Sequence, residues 1–285
     1  MARTAYVNGR YRPFADALIH VEDRGYQFAD GVYEVCEVKN GAIVDERLHL
    51  ERLIRSLSEL KIPMPMGLAA LGVVLRETIR RNRVESGIVY LQVTRGVARR
   101  DHAFPTPEVA PSVVVTARRL DPAGNEATAA KGIAVITVPD TRWARVDIKS
   151  VSLLPNVLAK QAAREQGARE AWFVDVAGNI TEGSSTNAWI VTPEGALVTR
   201  QADQGILRGV TRTVLLDAVA AHQLRLEQRE FSVHEAHRAR EAFVTSASQL
   251  VMPVVRIDGH TIGDGRPGPV ATALRQAFHQ FAEMS

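Results

Sequence analysis

The lysines of this chain are few, and one of them lies in an unusual context. The 285 residues include five lysines and 30 arginines, and arginine keeps its proton near neutrality, so it cannot act as an amine nucleophile. Lys149 lies in RWARVDIKSVSLLPN, between an aromatic residue and a run of aliphatic residues. Desolvation there would lower the pKa of the amine and free it for Schiff-base chemistry. The same context also suits a structural lysine whose amine reaches solvent.

The other four lysines have ordinary surroundings. They lie beside a turn, at the end of a predicted helix, at the start of a predicted strand and on a predicted helix surface: Lys39, Lys61, Lys131 and Lys160. Lys149 is therefore the candidate among the lysines for amine chemistry, and its context alone also allows a purely structural role.

A second candidate group is the acid of the segment TEGSSTN, residues 181–187. Glu182 precedes glycine and small hydroxyl residues, which is typical of a turn with a solvated carboxylate or of a carboxylate directed into a pocket. A buried carboxylate requires a cationic partner, and a protonated pyridine nitrogen is one such cation.

Two segments of small residues could hold an anion. In GILRGVTRT, Gly209 precedes a predicted amphipathic helix, so the amides of Val210 and Thr211 fall in its first turn and suit a phosphate. TSAS at 245–248 follows a predicted strand and could add donors, and Arg52 could complete the site. Each feature also has a plain structural interpretation, as a helix cap or as a surface arginine.

Turn signals and apolar spacing predict the elements that must position these groups. Asn8-Gly9 and Asn40-Gly41 each separate two β-rich segments and predict hairpins. Apolar residues at helical spacing predict helices over 49–60 and 68–81. The further predicted elements are strands at 88–96, 112–119, 132–138 and 241–248, hairpins at 171–183 and 187–199, and helices within 153–168, 209–224 and 269–281. Mixed hairpins and helices favour an α+β arrangement over a doubly wound parallel sheet.

A polar segment with Pro and Gly, LDPAGNEATAAKG, follows Arg119 and predicts a linker. We expect a small N-terminal α/β domain at 1–119, a linker at 120–124 and a larger domain at 125–285. The length suits two domains of ordinary size.

The composition excludes several classes of protein. The net charge is only +3 and basic residues alternate with acidic ones, so we expect no nucleic-acid partner. The single cysteine, Cys36, excludes a disulfide framework within the chain and a multi-cysteine zinc site, and we expect no metal. The sequence shows no apolar run of the ~20 residues that span a bilayer and no signal peptide, which predicts a cytoplasmic protein without a membrane partner.

A Schiff-base lysine, an acid for a pyridine nitrogen and a phosphate cradle are together what pyridoxal 5′-phosphate requires. The sequence also resembles the class IV, or fold-type IV, aminotransferases over nearly its whole length. The segments that carry this resemblance are EGSSTNAW at 182–189, LVT at 197–199 and ILRG at 206–209, with Trp189 where the family usually has Phe or Tyr. The segments similar to D-amino-acid aminotransferases in particular are EDRGYQFADGVYEV at 22–35, VTRG at 93–96 and RDH at 100–102.

The resemblance implies an α/β (α+β) homodimer in which each chain has a small N-terminal α/β domain and a larger, barrel-like C-terminal α/β domain. It implies that Lys149 binds the cofactor covalently and moves protons, and that Glu182 binds the pyridinium nitrogen. The other implied cofactor contacts are Arg52, Val210, Thr211, Ser246 and Ala247 to the phosphate and Leu207 to the ring. The implied contacts to the substrate carboxylate are Tyr33, Arg100 and His102, the last two from the neighbouring subunit.

The implied reaction is transamination of D-amino acids such as D-alanine and D-glutamate, with 2-oxoglutarate or pyruvate as acceptor. A branched-chain L-amino-acid aminotransferase of the same fold is disfavoured by the Arg100-x-His102 pattern. An aminodeoxychorismate lyase would share Lys149 and Glu182. A basic binding protein without activity would require all of these motifs to be coincidental.

Overall fold

A computed structural model describes residues 3–285 of the chain, which forms two compact units. The first unit consists of the residues up to Pro122, Ile148–Ser152 and Glu283–Ser285, and the second consists of Ala123–Asp147 and Leu153–Ala282. The chain therefore passes from one unit to the other four times, and Lys149 belongs to the first unit.

The first unit is built on one antiparallel sheet. Its strands are β1 (Thr4–Val7), β2 (Arg10–Pro13), β3 (Gly31–Lys39), β4 (Ala42–Ile43), β5 (Ser86–Thr94) and β6 (Ser112–Arg119). Their order is β2-β1-β6-β5-β3-β4. Both predicted Asn-Gly turns are confirmed: Asn8 and Gly9 have φ of 44° and 88°, and Asn40 and Gly41 have 52° and 78°. Positive φ at both central residues is what a tight hairpin turn of this kind requires.

Three helices accompany this sheet: α1 (Arg24–Phe28), α2 (Glu46–Glu59) and α3 (Leu68–Asn82). The last two confirm the helices predicted from apolar spacing. Leu53 and Leu57 of α2, like Leu71 and Leu75 of α3, are buried in the core formed with the sheet, as their spacing of four residues predicts. Ile148 is buried in the same core, which anchors the neighbouring Lys149 in the first unit.

The second unit is built on a mixed sheet. Its strands are β7 (Ile133–Pro139), β8 (Glu170–Val174), β9 (Ile180–Gly183), β10 (Asn187–Val191), β11 (Leu197–Thr199), β12 (Leu226–Gln228), β13 (Glu241–Ser246), β14 (Leu250–Ile257) and β15 (His260–Thr261). The order is β12-β11-β10-β13-β14-β7-β8-β9, and β15 pairs with β14. Only the pairs β11–β12, β14–β7 and β7–β8 are parallel. The predicted α+β arrangement is thereby confirmed.

The remaining helices are α4 (Pro122–Ala129), α5 (Leu154–Glu165), α6 (Val210–Ala221), α7 (Val233–His237) and α8 (Pro269–Phe281). Trp189 of β10 is buried in this part of the chain, and its ring stacks on Phe243 with centres 5.5 Å apart. Its indole N–H donates to the hydroxyl of Thr245 at 3.0 Å. This partner explains how the larger indole fits a position where Phe or Tyr is usual.

Three features differ from the expectations. Helix α4 begins at Pro122, inside the predicted linker, because proline suits the first turn of a helix. The expected boundaries assigned residues 148–152 to the larger domain, whereas they pack with the first unit. Strand β14 is absent from the predicted elements, and it lies inside the sheet although it contains Pro253, a residue that is rare in central strands. The pairing of β14 with β7 begins after this proline, at Val254, so the missing N–H breaks no bond to β7.

Within residues 3–285, none of the helices combines the length and the apolar character that crossing a membrane requires.

Candidate active site

Lys149 is held by its backbone beside the start of β3. Its carbonyl accepts a hydrogen bond from the amide of Tyr33 at 3.0 Å, and the amide of Val151 donates to the carbonyl of Gly31 at 3.0 Å. Ser150 forms a β-bridge with Val32 between these two bonds. The short segment around Lys149 therefore pairs with the first residues of the strand, which fixes the direction of its side chain.

The Lys149 amine lies over an aromatic face. Its Nζ is 4.2 Å from the centre of the Tyr33 ring, and Tyr33 stacks on Tyr90 with ring centres 5.7 Å apart. Lys160, the lysine on α5, differs because its Nζ lies 3.3 Å from a carboxylate oxygen of buried Glu170. The amine of Lys160 is thus engaged in an ion pair, and the amine of Lys149 is the better candidate for chemistry.

Glu34, the neighbour of Tyr33 on β3, forms a buried cluster with His49 and Arg52 of α2. Arg52 donates through Nε at 2.8 Å and through Nη2 at 2.7 Å, and Nδ1 of His49 lies 2.7 Å from the carboxylate. Burial alone would raise the pKa of Glu34, but the charge and hydrogen bonds of Arg52 outweigh it and lower this pKa to about 2. Burial lowers the pKa of His49 despite Glu34, and the positive charge of Lys149 acts in the same direction. The cluster fixes the guanidinium of Arg52, whose contact to a phosphate stays a prediction.

Glu182 of β9 is buried, and donors surround its carboxylate. Nδ2 of Asn187 donates to Oε2 at 3.0 Å, and the backbone amide of Leu207 donates to the same oxygen at 3.1 Å. The guanidinium of Arg142 binds Oε1. Of the two interpretations that the sequence allowed, the structure shows the buried carboxylate rather than the solvated one.

The segment around Gly209 leads into α6 and leaves the amides of its first turn directed outward. Gly209 is the N-cap, and no side chain caps this helix. The first-turn amides, those of Val210 and Thr211 among them, have no acceptor within the helix. Glycine is required at 209 because a Cβ there would lie 2.1 Å from Oδ1 of Asn187.

Ser246 ends β13, a strand that packs against α6. Its hydroxyl oxygen is buried and has no hydrogen-bond partner among the described residues 3–285. A buried hydroxyl is normally hydrogen-bonded, so this one favours an external acceptor such as a phosphate oxygen. Ala247 follows it in the same small-residue loop.

Arg100 and His102 both contact the ring of Phe28. Both are exposed, and both pack on Phe28: the guanidinium carbon of Arg100 is 4.6 Å from the ring centre, and the ring of His102 is 5.4 Å away. Among residues 3–285, neither forms a hydrogen bond, ion pair or ring contact with Tyr33 or Lys149. The structure thus brings Lys149 to Tyr33 and Arg100 to His102, and it does not join these two pairs within one chain.

A comparison with protein families assigns the chain to a family. The family model described as "Amino-transferase class IV" matches residues 31–257. The chain belongs to the class IV aminotransferases. The matched range includes Tyr33, Lys149, Glu182 and the start of α6, whose roles stay predictions.

Curated relatives and solved structures of class IV aminotransferases are similar over nearly the whole chain. The D-alanine aminotransferase of Staphylococcus haemolyticus is 38% identical, with 98% of this chain and 97% of the relative covered. That of Listeria monocytogenes is 37% identical, with coverage of 95% and 93%. The crystal structure of the Escherichia coli branched-chain amino acid aminotransferase has a TM-score of 0.90 at 23% identity, covering 98% of this chain and 94% of that one. The T.th. branched-chain enzyme with pyridoxamine 5′-phosphate has a TM-score of 0.89 at 25% identity, with the same coverage.

Sequence reasoning missed the second partner of Glu182 in this class IV aminotransferase. Arg142 is buried, binds both oxygens of Asp140 at 2.9 and 2.7 Å, and lies 4.4 Å from the Phe173 ring centre. Burial disfavours its charge, but hydrogen bonds to Asp140 and the charge of Glu182 outweigh burial and raise the pKa of Arg142. The rule that a buried acid requires a cation could have pointed to this arginine.

Glu170 of β8 is a second missed residue. Its buried carboxylate accepts hydrogen bonds from the hydroxyls of Ser184, Ser185 at 3.0 Å and Thr186 at 3.4 Å. These hydroxyls belong to the signature segment that follows Glu182. Glu170 therefore fixes the conformation of that segment, and Lys160 supplies the balancing positive charge.

Proposed function

We propose that this class IV aminotransferase transfers the amino group of D-amino acids, of the D-alanine and D-glutamate type, to a 2-oxo acid such as pyruvate or 2-oxoglutarate. The similarity to bacterial D-alanine aminotransferases, at 36–38% identity along nearly the whole of both chains, carries the substrate class. The branched-chain enzymes are matched at 23–25% identity in the structures named above, which supports the common fold.

The residues present fit pyridoxal 5′-phosphate. The unpaired, buried hydroxyl of Ser246 and the outward amides of the α6 start are donors of the kind that a phosphate dianion requires. When bound, this cofactor supplies an aldehyde that takes up an amino group and a ring that withdraws electrons from the substrate α-carbon. Val210, Thr211, Ser246, Ala247 and Arg52 would hold the phosphate, and Leu207 would pack on the ring.

Lys149 would bind the cofactor covalently until the amino group of the substrate displaces it, and its freed Nζ would then move the proton of the α-carbon. The backbone bonds to β3 and the Tyr33 ring restrict where this nitrogen can lie. A base held in place transfers a proton with a small entropic cost, which is the main advantage of an enzyme-bound amine over a free one.

Glu182 would accept a hydrogen bond from the protonated pyridine nitrogen. Arg142 and Asn187 hold the carboxylate in a fixed orientation, so no reorganisation is needed when charge develops on the substrate. A retained proton on the ring nitrogen strengthens its electron withdrawal.

Tyr33, Arg100 and His102 would bind the substrate carboxylate. A guanidinium fork and a neighbouring ring donor suit a carboxylate, and a fixed carboxylate decides which face of the α-carbon presents its hydrogen to Lys149. Exchanging the carboxylate and side-chain pockets would invert the preferred configuration.

We propose a homodimer in which Arg100 and His102 serve the neighbouring subunit. Their exposure supports this arrangement, as does the absence of a contact between either of them and Tyr33 among residues 3–285. Large apolar side chains are also exposed in the first unit, to which Arg100 and His102 belong: Phe14, Leu18, Ile19, Val21, Tyr26 and Phe104. Such a concentration of exposed apolar area is typical of an interface. The cytoplasmic location stays a prediction from the sequence.

Subunit mixing tests this arrangement. We expect the Lys149→Ala and Arg100→Ala proteins each to be nearly inactive, whereas a mixed dimer has one intact site if Arg100 acts across subunits. Random mixing should then restore roughly a quarter of the wild-type activity, because half of the dimers are mixed and half of their sites are intact. If subunits are shown to exchange and activity still does not recover, Arg100 does not serve the site of the neighbouring subunit.

A substrate screen tests the reaction. D- and L-amino acids are offered with pyruvate or 2-oxoglutarate, and we expect D-alanine and D-glutamate to react fastest. Faster turnover of L-leucine or L-glutamate than of every D-amino acid would favour the branched-chain alternative. Turnover without an added 2-oxo acid would favour the lyase.

A further inference from the structure

The loop of residues 100–104 carries Arg100 and His102, the two exposed residues proposed to bind the substrate carboxylate. Buried charged side chains lie directly beneath this loop. Arg24 of α1 and Arg95, just after β5, both bind the carboxylate of Asp30. The side chains of both arginines are almost fully buried, at 4% and 6% exposure. Two guanidinium groups that share one carboxylate are costly to bury, and each of them also binds groups beyond Asp30.

Arg24 holds the backbone of the loop. Its Nε donates to Asp30 at 2.8 Å, and its Nη1 donates to the carbonyls of Asp101 at 2.6 Å and Ala103 at 3.2 Å. Its Nη2 lies 3.4 Å from the carbonyl of His102. One guanidinium therefore contacts three successive carbonyls of the loop. Arginine suits this role because its planar guanidinium has five N–H donors.

Arg95 holds the far end of the same loop. Its guanidinium carbon is 3.6 Å from the centre of the Phe104 ring, and its donors bind Asp30 and the carbonyls of Leu60 and Lys61, the latter at 2.9 Å. A guanidinium stacked on an aromatic face restrains the ring by cation–π attraction. Arg95 thereby ties the loop to the end of α2.

The aromatic ring that carries Arg100 and His102 belongs to the same assembly. Phe28 lies under Arg100 and His102, and the guanidinium carbon of Arg24 is 4.8 Å from its centre. Arg24 thus contacts both the backbone of the loop and the platform on which its side chains rest.

We propose that Arg24, oriented by Asp30, is a positioning residue for the substrate carboxylate. It binds no substrate itself; it fixes the loop so that Arg100 and His102 present their donors in one geometry. This inference rests on the carboxylate role proposed above for Arg100 and His102. A small displacement of a binding group costs affinity steeply, so the loss should appear in substrate binding rather than in the proton transfer at Lys149.

The test measures carboxylate binding alone. Propionate has the carboxylate of D-alanine but no amino group, so its Ki against D-alanine reports the carboxylate contacts. In the holoenzyme, Arg24→Met should raise this Ki and the KM for D-alanine roughly tenfold or more, with the maximal half-reaction rate changed less than about threefold. Arg24→Lys keeps the charge and can reach some of the three loop carbonyls, so its Ki for propionate should lie between those of wild type and Arg24→Met.

A core variant separates positioning from general destabilisation. Leu75→Ala removes a buried side chain of α3 that belongs to the core of the first unit and has no polar group to bind the loop or Asp30. We expect it to lower Tm and to leave the propionate Ki within about twofold of wild type. If Leu75→Ala raises the Ki as much as Arg24→Met does, the effect of Arg24 is only structural and the inference is wrong.

The combined variant shows whether Arg24 acts through the loop. In a background of Arg100→Ala and His102→Ala, Arg24→Met should have no further effect on the propionate Ki, because the groups that it positions are gone. An equal further loss in that background, or an unchanged Ki in the Arg24→Met and Arg24→Lys proteins, would overturn the inference alone. An unchanged Ki in Arg100→Ala with His102→Ala would overturn the proposed carboxylate role, and with it the positioning by Arg24.

Discussion

Two buried glutamates of this enzyme, Glu34 and Glu182, are each bound by an arginine, yet their surroundings differ in charge. Glu34 is matched by one guanidinium, that of Arg52, and by a histidine whose lowered pKa favours its neutral form. Around Glu182, by contrast, two carboxylates share one guanidinium, since Arg142 also binds Asp140.

The surroundings of the two acids suit different roles. The Glu34 group is balanced, so its function is to fix α2 and Arg52 against β3. The hydrogen-bonded group of Glu182, Asp140 and Arg142 contains two carboxylates and one guanidinium, and the charge of Arg212 also acts on Glu182. An ionised carboxylate held in this way favours protonation of a nitrogen placed against it. We therefore expect changes at Glu34 to affect mainly stability and changes at Glu182 to affect mainly rate.

The largest effect should follow from removing the amine of Lys149, which lies near the cluster of Glu34, His49 and Arg52. Lys149→Ala should lower turnover by at least roughly 10³-fold and abolish the absorbance of the bound cofactor, because no other amine is placed to replace it. Lys160→Ala, in which the lost amine was paired with Glu170, should keep both. Borohydride reduction and peptide mapping check the assignment, and a pyridoxyl group on Lys160 would refute it.

The Glu34 cluster should make stability depend on acidity. The pKa of Glu34 is lowered to about 2 in the folded protein. Its ionisation therefore stabilises the fold fully at pH values above the ordinary pKa of a glutamate, and this contribution is lost as the pH falls towards 2. A shift of this size corresponds to about 3 kcal/mol. Urea unfolding at pH 7 and pH 3 should show that Glu34→Gln is the less stable protein at pH 7 and loses less stability on acidification. A pH dependence equal to that of wild type would contradict this.

Glu182 should reveal itself in rate. Glu182→Gln keeps the shape but not the charge, so the cofactor should still bind while the single-turnover rate with D-alanine falls by about a hundredfold. The matched change at the other buried glutamate, Glu34→Gln, should slow the single turnover with D-alanine far less. Equal losses in the two variants would remove the distinction between the clusters.

The smallest expected effect concerns Ser246, which we expect to bind the phosphate of the cofactor. Ser246→Ala removes one hydrogen bond of about 1 kcal/mol, so the apparent Kd of pyridoxal 5′-phosphate for the apoenzyme should rise about fivefold. Ser58→Ala, at an exposed position on α2, serves as the control and should leave that Kd unchanged. A Ser246→Ala protein that binds the cofactor like wild type would show that the buried hydroxyl has another partner.

Features encoded by neighbouring residues could be predicted from the sequence. The Asn-Gly hairpins, α2, α3 and α6 follow from turn chemistry and from apolar spacing, and Lys149 and Glu182 are distinguished by the residues beside them. The chemistry of the candidate site could be named for the same reason, since the groups lie in recognisable segments.

Features set by distant contacts could not be predicted in this way. The return of residues 148–152 to the first unit depends on Ile148 fitting a core formed by residues that precede it by more than 25 positions. Arg142 resembles many other arginines until Asp140 and Glu182 are seen on either side of it. Arg24 and Arg95 likewise acquire their partners only when Asp30 brings them together.

The path of the chain has a consequence for its synthesis. Residues 283–285 complete the first unit, where the amide of Ile43 donates to the carbonyl of Ser285 and that of Ser285 donates back to Ile43. Ribosomes add roughly 5–20 residues per second, so the first 122 residues wait on the order of ten seconds or more for these last partners. During that wait, the exposed edge of β4 is a place where a nascent chain can pair with a neighbour, until residues 283–285 cover that edge.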